Sequence, residues 1–179
     1  MLNKSKLERV VAKMKEQDMP QMIITDPVSI FYMLDKWIIP GERMIALYIN
    51  VNGDVQLVLN KLFPQTEDLG VPLTYYDDIE EPVGILAKFI EKDKTIGIDK
   101  NWPARFLLKL QDLGAGSKFV NGSVIVDKVR QIKDEHERQI MRESAKMIDE
   151  VMDKLIPWVA KGLTERELNA KCVELCKEV

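Results

Sequence analysis

The sequence predicts an α/β domain on a mixed sheet, followed by two further helices. Over residues 1–122, short apolar runs alternate with amphipathic segments of helical period. Asn52-Gly53 stands between two of those runs, a strong hairpin signal, so an antiparallel pair interrupts the otherwise alternating order. Beyond residue 133 the strand-like runs cease, and Asp134 with Glu137 and Thr164 with Glu167 form capping boxes that open two amphipathic stretches.

Residues 3–18 read as a helix, with Leu7, Val10, Val11 and Met14 as its apolar stripe and Pro20 just after it. Met22-Ile23-Ile24-Thr25 reads as a buried strand. Asp26 as N-cap and Pro27 at the first helical position start a short helix to about Leu34. A loop through Gly41 leads to strands over Met44–Asn50 and Val55–Leu59, and Val71–Tyr76 is a further strand. Pro82–Ile90 is a helix with Val83, Leu86, Ala87 and Ile90 on one face, and Thr95–Asp99 is the next strand. Pro103–Leu113 is a helix opened by Asn101 or Trp102 and closed by Gly114. Lys118–Val120 is a short last strand, and Ser123–Gln131 a short helix.

The Asp134 box starts a long helix to about Ala160, in which Met141, Ala145, Ile148, Met152, Leu155 and Val159 recur at steps of three and four. It would run roughly 40 Å and end at Lys161-Gly162, with a kink or break near residue 156 caused by Pro157. The Thr164 box opens a last helix with Leu168, Cys172, Leu175, Cys176 and Val179 on one face. No Gly, Asn or Pro closes it, so the chain is expected to be cut from something longer, with chemistry beyond Val179.

The net charge of -3 supplies no electrostatic reason to bind nucleic acid or an anionic membrane. No apolar run approaches the roughly 20 residues of a membrane span, and the N-terminus lacks a signal-peptide core, so a cytoplasmic location is expected. Cys172 and Cys176 lie four apart, where helical geometry holds Cβ atoms about 5–6 Å apart and disfavours a disulfide; buried free thiols are expected.

Few residues suggest chemistry. His136 is the single histidine and reads as a surface side chain. Gly114-Ala115-Gly116-Ser117-Lys118 has the wrong spacing and position for a phosphate loop and reads as a helix-terminating turn. Asp77-Asp78-Ile79-Glu80-Glu81 could hold a cation weakly or decorate the N-terminus of the helix at Pro82. The segment from Phe31 to Arg43 places Trp37 beside Asp35, Lys36, Ile38, Ile39 and Pro40; Trp37 is either a contact residue or packs beneath its loop. No nucleophile motif, dinucleotide fingerprint or metal-ligand spacing stands in the chain.

Arg130, Ile132, Lys133, Asp134, Glu137, Met141, Arg142, Ser144 and Ala145 resemble the domain junction of the creatinase, prolidase and aminopeptidase P group, the pita-bread metallopeptidases. Gly162-Leu163-Thr164-Glu165-Arg166-Glu167-Leu168 resembles the step into the second helix of that group's catalytic domain, and Pro40-Gly41-Glu42-Arg43 resembles its N-terminal domain. Where the group often has Tyr-Leu-Thr-Gly-Phe, this chain has Tyr32-Met33-Leu34-Asp35-Lys36-Trp37.

The resemblance implies a ribonuclease-H-like N-terminal domain over residues 1–122, a linker over 123–133, and the first helices of an incomplete catalytic domain over 134–179. It implies a parent that hydrolyses short peptides containing proline, as an Xaa-Pro dipeptidase or aminopeptidase, using two divalent metal ions of Mn or Co type. Their ligands would lie beyond this chain, which then has no catalytic or metal-binding residue of its own. It also implies a homodimer in which Tyr32, Trp37 and Arg43 are substrate-side contacts. A non-catalytic interaction module and a creatinase-type amidinohydrolase remain alternatives. A ribonuclease-H-type nuclease would need acidic residues in the first strand, where Met22-Ile23-Ile24 is apolar.

Overall fold

The strands of this chain are short and apolar on both faces, and a sheet of such strands must be covered on both sides. In the computed structural model, which describes residues 1–159 and 162–179, the sheet belongs to the first of two units, Met1–Gln131 and Ile132–Val179. Its strands are β1 (Gln21–Ile24), β2 (Ile45–Asn50), β3 (Val55–Asn60), β4 (Leu73–Tyr76), β5 (Thr95–Ile98) and β6 (Lys118–Asn121). They lie in the order β4-β3-β2-β1-β5-β6. Only β2 runs antiparallel to its neighbours; the β3–β4, β1–β5 and β5–β6 pairs are parallel.

The period-two alternation of side chains sorts the core. Met22, Ile24, Leu47, Ile49, Leu57 and Leu59 point to one face. There they meet α1 (Lys4–Glu16), α2 (Pro27–Leu34) and α5 (Ser123–Gln131). Ile23, Ala46, Tyr48 and Val58 point to the other, covered by α3 (Pro82–Leu86) and α4 (Ala104–Asp112). Beneath α3, the Tyr48 hydroxyl donates to Gln21 Oε1 at 3.0 Å, and that oxygen also accepts the Glu91 amide at 2.9 Å. Burial, and then the nearby Glu91 charge, push the Tyr48 hydroxyl up to about 12.

Local signals account for the ends of these elements. Asn3 caps α1 by accepting from the Lys6 amide at 3.0 Å, and Asp26 caps α2 by accepting from the Ser29 amide at 3.0 Å. The hairpin between β2 and β3 turns at Gly53, whose φ of 88° suits glycine, while Asn50 Oδ1 accepts the Asn52 and Asp54 amides. The turn at Gly114 closes α4: the Ala115 amide reaches the Leu110 carbonyl at 3.2 Å and the Gly114 amide reaches Gln111 at 2.9 Å.

Four expectations need correction. The helix at Pro82 ends at Leu86, and residues to Ile90 continue as tighter turns with i to i+3 bonds, so Ile90 still reaches the core. Neither Asn101 nor Trp102 caps α4; its N-cap is Pro103, which makes no side-chain bond. The first nine residues of the expected 123–133 linker form α5, whose Ile125, Val126 and Val129 lie in the core of the first unit. A linker helix would not bury three aliphatic side chains. Of the two cysteines, Cys172 is partly buried and Cys176 exposed; both are free thiols.

The second unit contains α6 (Glu135–Leu155), a 3-10 turn (Ile156–Trp158) and α7 (Glu165–Cys176). Both expected capping boxes are formed, at Asp134–Glu137 and Thr164–Glu167. The α-helix ends before Pro157, so α6 has 21 residues and a length of about 32 Å rather than 40 Å. The expected helix end at Ala160 and Lys161 lies outside the described residues. Val151, Leu155 and Leu175 make a small core. From Arg138 to Glu150 every residue is exposed, including Ile140, Met141, Met147 and Ile148. Among the described residues no helix is long and apolar enough to cross a membrane.

Two backbone segments crowd each other where β6 leaves the sheet. A Cβ on Gly122 would lie 2.9 Å from the carbonyl carbon and Cα of Gly97, atoms that cannot swing aside. Gly122→Ala is therefore expected to destabilise the chain by about 1–3 kcal/mol. Urea unfolding should show a lower midpoint with an unchanged slope; an unchanged midpoint would mean that the two backbones can separate freely.

Candidate functional site

The chain leaves β1 toward β2 and leaves β5 toward β6, on opposite sides of a shared parallel seam. In an open α/β sheet a crevice forms outside the carboxyl ends of strands where connections diverge in this way. Asp99, the residue after β5, is buried at that point. Its Oδ2 accepts the Thr25 and Asp26 amides, each at 2.9 Å, and its Oδ1 accepts the Ser123 hydroxyl at 2.7 Å. Ser123 Oγ in turn accepts the Lys100 amide at 2.6 Å. One carboxylate thus joins the end of β1 and the entry to α2 to the start of α5.

Above this seam lies a cavity of about 200 Å³, walled by Thr25 from the end of β1, Pro40 and Met44 from the loop before β2, and Trp102, Pro103 and Phe106 from the entry to α4. Two ties hold the loop. Arg43 donates to Asp78 through Nε at 2.9 Å and Nη2 at 2.7 Å, and Arg105 donates to the Glu42 carbonyl. The hydrogen-bonded Arg43 holds the Asp78 carboxyl below the usual carboxylate range, and Asp78 in return raises Arg43. Asn60 Nδ2 completes the cluster with a 2.9 Å bond to Asp78.

The acidic run at residues 77–81 therefore anchors loops and caps a helix. Asp77 accepts from Lys61 at 2.8 Å, and Glu81 accepts the Val83 and Gly84 amides at the start of α3. His136 is exposed in the first turn of α6. Among the described residues no group of His, Cys, Asp and Glu is arranged to hold a metal ion, and no step of amide hydrolysis is assigned to them.

Tyr32, Trp37 and Arg43 occupy three different settings. Tyr32 is buried between α2 and α1, with the Lys6 ammonium 4.1 Å from its ring centroid and Arg9 Nη1 3.4 Å from its hydroxyl. Trp37 is 54% exposed and does not pack beneath its loop; it stands edge-on to the exposed Phe31, with centroids 5.7 Å apart. Arg43 lines the cavity but is committed to Asp78. Sequence reasoning missed Asp99 and Ser123. The available signal was a lone acid directly after an apolar strand, placed opposite a serine that opens a helix.

The sheet order, the helices on both faces and the divergent seam define a small α/β domain of the build expected for the N-terminal part of a pita-bread peptidase. The chain belongs to the Creatinase/Prolidase N-terminal domain family, which it matches over residues 6–132. It is 25% identical over 171 residues to an uncharacterized peptidase of Staphylococcus haemolyticus, with 92% of this chain and 47% of the relative covered. It is 23% identical over 177 residues to the Xaa-Pro dipeptidase of Pyrococcus furiosus, covering 97% of this chain and 48% of that one. The crystal structure of a dipeptidase from Pyrococcus horikoshii superposes with a TM-score of 0.82 at 25% identity, over 97% of this chain and 49% of that one. The chain thus spans about half the length of the curated relatives it matches.

Asp99 provides a direct test of how the seam is held. Asp99→Ala strands a buried amide, a part-buried amide and a buried hydroxyl and should cost about 2–4 kcal/mol. Asp99→Asn keeps an acceptor for the amides and should cost about half as much. Equal losses in chemical denaturation would show that charge, rather than the count of acceptors, sets the contribution.

Proposed function

We propose that this chain is the N-terminal, dimerisation and active-site-access part of a metal-dependent Xaa-Pro peptidase that hydrolyses short proline-containing peptides in the cytoplasm. The observation that carries the reading is α6. Ile140, Met141, Met147, Ile148 and Met152 are all exposed on a helix with an intact capping box. Contiguous apolar surface of this kind marks a contact face. The family's catalytic domain is the body that would cover it, and the matched relatives have the length to contain one. Two divalent metal ions of Mn or Co type would activate water in that domain.

Within this reading the three sequence-derived residues divide the work. Tyr32 fixes α2 on α1, Arg43 fixes the loop on Asp78, and the loop presents Trp37 toward the peptide at the mouth of a partner's active site. An exposed aromatic on a tethered loop offers contact area without a large ordering cost on binding.

The complete gene product, supplied with Mn²⁺ or Co²⁺, should release proline from Ala-Pro and leave Ala-Ala intact; no release with either metal rejects the peptidase reading. The 179-residue chain should be inactive under the same conditions. Small-angle scattering of the complete product should return the mass of a dimer, and a monomer would reject that part. Trp37→Ala should raise KM for Ala-Pro several-fold while shifting stability by no more than about 0.5 kcal/mol, as for other surface substitutions. An unchanged KM would remove Trp37 from the substrate side.

A further inference from the structure

We propose that the exposed face of α6 pairs with the same face of a second copy of this chain, the two helices running antiparallel. The inference goes beyond the peptidase reading and does not rest on it. It concerns the 179-residue chain, whereas peptide hydrolysis and KM are read on the complete gene product. Every residue it uses lies in the second unit.

Met141, Ala145, Ile148 and Met152 follow one another at steps of four, three and four, the spacing by which two helices interlock in a two-stranded coil. All four are exposed, Met141 by 56% and Ile148 by 57%. The row stops at Leu155, which is already buried with Val151 and Leu175. A second copy suits these four because the row complements itself when reversed. A two-fold axis beside the Lys146–Met147 peptide sets Met141 against the partner's Met152 and Ala145 against the partner's Ile148, each contact occurring twice. The small alanine then meets a large side chain, as close packing across facing positions requires.

The charges beside the row obey the same reversal. Arg142 and Asp149 stand seven residues apart on one flank of it. The axis that matches the apolar side chains brings Arg142 beside the partner's Asp149 and Asp149 beside the partner's Arg142. Asp149 is exposed and has no side-chain partner among the described residues. Arg142 has one, Glu135, which Arg138 also holds, so an exchange strands no charge. A parallel pair fits less well. It would set Ala145 against the partner's Ala145 and leave a gap. It would also bring Asp149 to the partner's Ser144, and Arg142 to the partner's Glu137, a carboxylate that already accepts the Asp134 amide of its own chain at 3.0 Å. Ile140 and Met147 lie outside the row, on the side away from Arg142, and serve as control positions.

Sedimentation equilibrium of the 179-residue chain, from micromolar to millimolar at low salt, should show a mass that rises from one chain to two and no further. Arg142→Asp and Asp149→Arg each turn two attractions into two repulsions and should each weaken the dimer about tenfold or more. The variant carrying both changes restores opposite charges across the axis and should return to within about threefold of the unchanged chain. That recovery cannot come from misfolding of either single variant. Ile148→Lys should abolish the pairing, and Met147→Lys should leave it unchanged. A monomer at every concentration overturns the proposal and leaves the face to the body expected in the complete gene product. A mass beyond two chains, or no recovery in the double variant, overturns it as well.

Discussion

The first unit depends on one buried carboxylate. Asp99 receives two backbone amides from the end of β1 and the hydroxyl that opens α5. These partners are 74, 73 and 24 residues away in the sequence. The parallel seam it reinforces is short, with register pairs only at Gln21–Ile96 and Met22–Gly97. Desolvating a carboxylate is costly unless charge-assisted hydrogen bonds replace its water. Three such bonds at 2.7–2.9 Å do so here. The same seam is the place where chain connections diverge, so the residue that closes the sheet also fixes the walls of the crevice above it.

Whatever repeats locally was legible in the sequence. The strands were readable because apolar residues fill both faces, and the hairpin because Asn-Gly allows the positive φ that its turn requires. The break before Pro157 and both capping boxes follow from chemistry within four residues. Long-range geometry escaped. Nothing near Ser123 shows that α5 belongs to the core of the first unit; only the sheet, once assembled, offers Ile125, Val126 and Val129 a place. Asn101 has the right chemistry for a cap, but its side chain lies 3.4 Å from Asp26 instead. Cys176 lies on the predicted apolar side of α7, yet α7 buries only Leu175 within its unit.

The candidate site shows the same division. The loop around Trp37 was identifiable because a large aromatic stood among polar residues, and Trp37 stands exposed rather than packed beneath its loop. Tyr32, five residues earlier, lies on a helix, and helical rotation turns it toward α1 while Phe31 points outward beside Trp37. Proximity in the chain therefore could not make these residues one constellation. Arg43 looked available because its partner, Asp78, is 35 residues away across the sheet. Asp99 and Trp102 became visible only when hydrogen-bond partners could be counted, since a saturated carboxylate and an unsatisfied indole look alike in a sequence.

The second unit poses the opposite problem, a helix whose ends are well specified and whose middle is exposed among the described residues. Capping at Asp134 and ion pairs of Arg138 and Arg142 with Glu135 stabilise its first turns, but exposed pairs contribute little. Most helices in proteins are held by burial of an apolar face. In α6 that burial is confined to Val151 and Leu155, near its C-terminal end, while the stretch from Arg138 to Glu150 presents alternating apolar and charged faces to solvent. A sequence that keeps Met141, Ile148 and Met152 in helical register with Leu155 keeps them for a surface, because a solvent-facing helix is served as well by Lys or Glu at those positions. The apolar residues of α6 thus stay uncovered within its unit, and the small core of Val151, Leu155 and Leu175 holds only the C-terminal end of the helix.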